Sequence, residues 1–212
     1  MSTRITTAQL VDWLGRWRDA VTDQKDHLTD LDRAIGDADH GFNLARGTAA
    51  VTEKLEATPP QDVAGLGKVA GMALVMSVGG ASGPLYGTFF LRFGTAGGDA
   101  TELDAPGLGD ALHAALDGVI ERGKAHAGDK TMLDAIIPAL EAYDQAVADD
   151  ADISAALAAA AAATATGRDA TVPMIAHKGR ASYLGERSAG HMDPGAASAT
   201  LLFEALAAAA QG

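Results

Sequence analysis

The sequence predicts an all-α fold of about eight helices packed as antiparallel neighbours. Apolar residues recur at helical spacing in most long segments, beginning with Leu10, Trp13, Leu14, Trp17, Val21 and Leu28. No segment shows convincing strand alternation. The periodic segments are separated by short breaks built on Gly, Pro and Asp, and short connections favour antiparallel neighbours. At 212 residues the chain suits one domain and can bury a sizeable core. Its hydrophobic content of 48% includes only 5% aromatics, so small side chains must fill that core and the helices must approach closely.

The first helix is predicted over residues 6–30, capped by Thr7 and running on to a stop at Gly36. A second follows over 42–55, with Leu44, Val51 and Leu55 on one face and Pro59-Pro60 as its terminator. The third covers 62–78. Gly inside a helix costs about 1 kcal/mol relative to Ala, so its Gly65, Gly67, Gly71 and Ala73 point to close helix–helix contact. Gly79-Gly80 ends it, Ser82 is a candidate cap, and Pro84 opens a buried fourth helix over 85–93 despite a strand-like composition. Residues 94–103 read as a polar loop. Helices follow over 108–125, over 130–147 after the stop Gly128-Asp129, and over the alanine-rich 153–166, ended by Gly167. Thr131 and Met132 fall in the first turn of the second of these, where a methionine is by default a core residue. Residues 168–193 form a long loop carrying Lys178, Arg180, Arg187 and His191, and long loops in compact domains are often functional. Asp193 caps and Pro194 opens a last helix to about residue 210.

The densest group of polar side chains is residues 32–43, D-R-A-I-G-D-A-D-H-G-F-N. Asp32 closes a periodic segment. Asp37 and Asp39 are two apart in a segment broken by Gly36 and Gly41, and residues i and i+2 of a turning backbone point the same way. Any one of these aspartates is explained as a turn or N-cap residue. Three that converge repel one another until a cation neutralises them, and Mg²⁺ prefers such oxygen ligands. Asp32, Asp37 and Asp39 are therefore the candidate metal ligands. His40, Gly41 and Asn43 follow at a helix start, whose unpaired N–H groups favour an anion. The segment G-G-A-S-G-P at 79–84 has two readings: a tight helix–helix turn, or bare backbone that approaches a phosphate closely. The acidic turn, this segment and the Asp193 cap each fall between an odd-numbered helix and the next, so an up-and-down bundle places them at one end.

A formal charge of −12 and a pI of about 4.7 argue against nucleic acid or anionic membrane as partners. A phosphorylated ligand would have to be held through metal, helix N-termini and a few placed cations. The absence of cysteine excludes a disulfide framework, a thiolate catalyst and a zinc–thiolate site, and fits a cytoplasmic protein. Residues 1–9 are mostly polar and lead into no continuous apolar run, so no signal peptide is expected. The alanine tract at 155–163 is too short and too weakly apolar to span a membrane. There is no serine–histidine triad, zinc motif, P-loop lysine motif or Rossmann fingerprint.

The acidic turn resembles the G-D-x-D-x-G-x-N motif of the nucleotide-binding L subunit of dihydroxyacetone kinase. The likeness continues in family order through 79–84, G-D-K-T-M at 128–132, G-R-A-S-Y-L-G at 179–185 and H-M-D-P-G at 191–195, and covers essentially the whole chain. It implies a single L-type domain over 1–212, built as an up-and-down barrel of eight antiparallel helices with the nucleotide at one end. It implies Mg²⁺ on Asp32, Asp37 and Asp39 beneath the phosphates of ADP or ATP. His40, Gly41, Phe42, Asn43, Ala81 and Ser82 are implied around the phosphates. Gly123, Met132, Arg180, Asp193, Pro194 and Gly195 are implied around the rest, with Met132 covering one face of the adenine. Phe42 departs from the family pattern, which has a small or polar residue there, often Thr; the ligands stay intact and the local packing changes.

Arg180 is also the candidate catalytic residue. Three carboxylates in an acidic chain leave a phosphate chain short of positive charge, and the guanidinium fork suits phosphate; Lys178 and Arg187 are its rivals. The resemblance further implies a separate K subunit that holds dihydroxyacetone on a histidine, so the chain alone is not a complete kinase. In the phosphotransferase-system form an M subunit rephosphorylates resident ADP from a phosphohistidine, whereas an ATP-exchanging enzyme would use the same residues. A homodimer is a further expectation. Two alternatives are a nucleotide-loaded regulatory subunit that binds a transcription factor, and the L-type subunit of a kinase for another short ketose or a fatty acid carrier.

Overall fold

The computed structural model describes residues 3–211, so residues 1–2 and 212 of the expected domain lie outside the described residues. The chain is mostly helical. In order it forms β1 (Arg4–Thr6), α1 (Thr7–Asp23), α2 (Lys25–Ile35), α3 (His40–Ala57), α4 (Val63–Ser77), α5 (Ser82–Gly97), β2 (Glu102–Asp104), α6 (Ala105–Gly123), α7 (Leu133–Ala148), α8 (Ile153–Ala170), a 3-10 helix (Arg180–Ser188) and α9 (Pro194–Ala209).

Several expectations are corrected. A strand pair is present: β1 and β2 run antiparallel with Ile5 opposite Leu103, both buried, and three-residue strands are too short to show alternation. The first helix is two, because the chain leaves helical geometry at Gln24 (φ −95°, ψ 8°) with no Gly or Pro to announce it. That break makes nine α-helices among the described residues rather than eight. The cap of α1 is Thr6, not Thr7: the Thr6 hydroxyl accepts from the Gln9 amide and the Gln9 side chain accepts from the Thr6 amide, a reciprocal capping box. Helix α5 runs on to Gly97, through the first residues of the expected 94–103 loop. Thr131 and Met132 precede α7. Gly167 lies inside α8 and does not end it; a Cβ there would fall 2.2 Å from the Asp134 carbonyl oxygen, so the glycine serves the α7–α8 contact.

Each long helix packs on its neighbours in the chain: α3 on α4, α4 on α5, then on through α8 and α9, with α9 returning to α1 and α1 reaching α3. Helix α2 lies against α3 and α9. The small residues of α4 let it approach α5 closely. A Cβ on Gly67 would lie 2.5 Å from Gly94 Cα, and one on Gly71 would lie 2.8 Å from the Gly87 carbonyl oxygen. The few aromatics concentrate in one cluster: Trp13, Trp17, Tyr86, Phe89, Phe90 and Phe93 are all buried, and the Trp13 indole donates to the Leu202 carbonyl at 2.8 Å. No helix among the described residues is long and apolar enough to cross a membrane.

Candidate functional site

A cleft of about 440 Å³ opens where α3, α5, α7 and α9 begin, and His40, Ser82, Leu133 and Pro194 at those four starts all line it. Ile35 and Gly123, at the ends of α2 and α6, line it from between. The first N–H groups of a helix have no partner within the helix and carry partial positive charge. Four such ends bring partial positive charge to one cleft of a protein with net negative charge, and the Asp32 and Asp193 carboxylates take up part of it at α3 and α9.

The acidic turn forms one wall. Asp32, on the last turn of α2, is buried, and one of its carboxylate oxygens accepts from the Asp39 and His40 amides at 2.9 and 3.3 Å. Asp32 therefore caps α3 from another helix. Asp39 occupies the N-cap position but makes no capping bond, so no backbone amide at the start of α3 takes up its carboxylate. Gly36 is what lets the chain double back, since a Cβ there would lie 2.0 Å from an Asp32 carboxylate oxygen. Ala38, between Asp37 and Asp39, sits in the left-handed region at φ 63°. Ligand atoms of Asp32, Asp37 and Asp39 come within 4.8 Å of one another. Burial and the Asp37 charge push the Asp39 carboxyl above its ordinary range, against a hydrogen bond from Asn43. The neighbouring cation is Arg180, whose guanidinium meets Asp37 at 2.8 Å and is two-thirds exposed. Hard oxygen donors on three carboxylates, with one exposed arginine as counter-charge, fit a divalent cation such as Mg²⁺.

The second wall is the 79–84 segment. Ser82 does not cap α5; its hydroxyl meets His40 Nδ1 at 3.1 Å. His40 Nε2 meets the Ser198 hydroxyl at 2.9 Å, and that hydroxyl meets the Tyr86 phenol at 2.7 Å. Burial lowers the His40 pKa to about 4, so at neutral pH the ring is uncharged and one nitrogen donates while the other accepts. This chain ties the start of α5 to the N-terminal parts of α3 and α9. Across the cleft, Asp193 caps α9 by accepting from the Ala196 amide at 2.7 Å, and burial pushes its carboxyl up to about 7. Met132 packs beside Gly195 and is 5% exposed.

Of the residues singled out from sequence, Asp32, Asp37, Asp39, His40, Ala81 and Ser82 line the cleft. So do Gly123, Met132, Arg180, Asp193, Pro194 and Gly195. Gly41, Phe42 and Asn43 are placed differently. Gly41 is a packing residue against α2, where a Cβ would lie 2.0 Å from the Lys25 carbonyl oxygen. Phe42 is 51% exposed, with the Lys25 ammonium 5.1 Å from its ring centre. Asn43 bonds to Asp39 and accepts from Arg46 at 2.8 Å. Of the rival cations, Lys178 lines the cleft and Arg187 does not. Sequence reasoning missed Tyr86, Ser198, Arg122 and Lys130. Lys130 alone had a signal, a lysine directly after the Gly128-Asp129 stop; the others become visible only once the helices are packed.

The family model for the DAK2 domain matches residues 34–208. The chain is 45% identical over 207 residues to the ADP-binding subunit DhaL of the PEP-dependent dihydroxyacetone kinase of Escherichia coli, covering 98% of this chain and 99% of that protein. It is 37% identical over 202 residues to the corresponding subunit of the PTS-dependent dihydroxyacetone kinase of Lactococcus lactis, covering 95% and 97%. Among solved structures, the dihydroxyacetone kinase of C. freundii in complex with AMP-PNP and Mg²⁺ matches with a TM-score of 0.71 at 28% identity. The match covers 95% of this chain and 34% of that one, so the chain spans about a third of the larger kinase.

Proposed function

The chain belongs to the DAK2-domain family, and from that premise we propose that it is the ADP- and Mg²⁺-binding subunit of a dihydroxyacetone kinase, passing a phosphoryl group to dihydroxyacetone held by a separate K subunit. The observation that carries this reading is the convergence of Asp32, Asp37 and Asp39 beside four helix N-termini on one cleft. Phosphoryl transfer needs positioning and charge neutralisation more than covalent chemistry, and this set of residues supplies both. Mg²⁺ on the three aspartates supplies neutralisation of the phosphates and a fixed template for them. The Ala81 and Ser82 amides at the start of α5 hold phosphate oxygens, and Arg180 adds a positive charge beside Asp37. Met132 and Gly123 frame the base, and Asp193, Pro194 and Gly195 close the far side.

The same reading takes the chain as one L-type domain in the cytoplasm, its eight long helices forming an up-and-down barrel with α2 as an addition outside the ring. Near-complete matches to PEP- and PTS-dependent subunits favour the form in which ADP stays resident and is rephosphorylated by a phosphohistidine on an M subunit. The test is acid extraction of the purified protein followed by chromatography, on the parent and on Asp37→Ala. The parent should release ADP, and the variant should have lost it while keeping its helical circular dichroism. A parent that is empty and binds no ADP with Mg²⁺ present would falsify the assignment.

A further inference from the structure

Lys130 lines the cleft yet is 1% exposed, and its ammonium is spent on backbone. It donates to the carbonyls of Ser188 at 2.7 Å, Thr171 at 2.9 Å and Met174 at 3.0 Å, with that of Val172 at 3.4 Å. An ammonium has three protons, and three short bonds use them all. Lys130 therefore has no donor left for a phosphate, and a P-loop-like role for this lysine is excluded.

The positions of those carbonyls give it a different role. Residues 171–174 follow the end of α8, and Ser188 ends the 3-10 helix, so one ammonium joins the two ends of the 175–187 segment. Other bonds close the same base: the Gly190 amide on the Val172 carbonyl at 2.8 Å, the Ala176 amide on the Ser188 hydroxyl at 2.8 Å, and the His177 amide on the Asp129 carbonyl at 3.0 Å. Between these ties the segment carries Lys178 and Arg180 to the cleft, with Arg180 on Asp37. Hydrogen bonds from a charged donor are roughly twice as strong as neutral ones, and this donor makes three at one point.

We propose that Lys130 is the positioning residue for this loop: a buried ammonium clasps both ends of residues 175–187 and so sets where Lys178 and Arg180 stand over the cleft. Lys130 touches no reacting atom in this scheme. The role of Arg180 toward a nucleotide rests on the reading above; the clasp itself does not.

The test compares the parent, Lys130→Met and Lys130→Cys. Because the chain has no cysteine, aminoethylation of Lys130→Cys in the unfolded protein places a lysine-like ammonium at that position alone. Limited trypsin digestion reads the loop directly, since Lys178, Arg180 and Arg187 are its cleavage points. Lys130→Met should be cut there at least about tenfold faster than the parent, with helical content kept, and aminoethylated Lys130→Cys should recover protection. ADP release should quicken in Lys130→Met, and adding Arg180→Ala to it should have no further effect, although Arg180→Ala alone quickens release in the parent. Parent-like protection in Lys130→Met, or multiplicative effects of the two substitutions, would overturn the proposal. If Lys130→Met does not fold, refolded and fully aminoethylated Lys130→Cys decides: recovered protection supports the clasp and continued cutting of the loop overturns it. A parent that binds no ADP would sink the functional reading alone, because the trypsin comparison still stands.

Discussion

Ala38 holds a left-handed backbone, φ 63°, between two of the clustered aspartates. That conformation costs an L-residue roughly 1–2 kcal/mol, while glycine gives back part of the gain through its freer unfolded chain. Ala38→Gly should therefore stabilise the nucleotide-free protein by about 0.5–1 kcal/mol in urea denaturation. Asp193 gives a pH test. Its folded pKa of about 7 lies above the unfolded 3.8, so between those values the folded state holds the proton more tightly. Stability from this group is present at low pH and declines as pH rises towards 7. Asp193→Asn keeps an acceptor for the Ala196 amide and should remove that decline, raising nucleotide-free stability at pH 8 relative to the parent by on the order of 2–4 kcal/mol. The acidic turn was legible because its three aspartates are close in sequence. The capping role of Asp32 was not, because it acts on the next helix, and the clasp of Lys130 was not, because its acceptors lie more than forty residues on.

At the level of elements, apolar periodicity located α1, α3, α4 and α6, stop and cap residues located α5, α7 and α9, alanine content located α8, and the glycines of α4 announced a close helix–helix contact. What periodicity could not show was the break at Gln24, where a polar residue leaves helical geometry without a breaker, or the role of Gly167, which resembles a stop and is a contact. Two substitutions separate these uses of glycine. Gly15 in α1 has open space where a Cβ would stand, with nothing within 4 Å, so Gly15→Ala should stabilise the protein by about 0.5–1 kcal/mol through helix propensity. A Cβ on Gly94 would lie 2.8 Å from Gly67 Cα, so Gly94→Ala must push α4 and α5 apart and should cost about 1–3 kcal/mol. Thermal melts of the two variants should move in opposite directions.

Over the whole molecule, the acidic turn, the 79–84 segment and the Asp193 cap line one cleft, as expected from the order of the motifs; the 3-10 geometry of residues 180–188 had no such sequence signal. A ligand in that cleft would meet the starts of α3, α5, α7 and α9 at once, so its binding should be felt globally. ADP with Mg²⁺ at about a hundred times its dissociation constant should add about 2.7 kcal/mol of apparent stability, reversed by chelation. Asp37→Ala should show no such gain. The buried aromatic cluster gives a further handle on the same event. Trp13 and Trp17 are the only indoles in the chain, and Trp17 lies 5.1 Å from the ring of Tyr86, which lines the cleft and is hydrogen-bonded through Ser198 to His40. Emission from the unlabelled protein thus has its source one ring away from the binding wall. Trp13→Phe would leave a single emitter at Trp17, turning the core of the bundle into an optical gauge of what occupies its end.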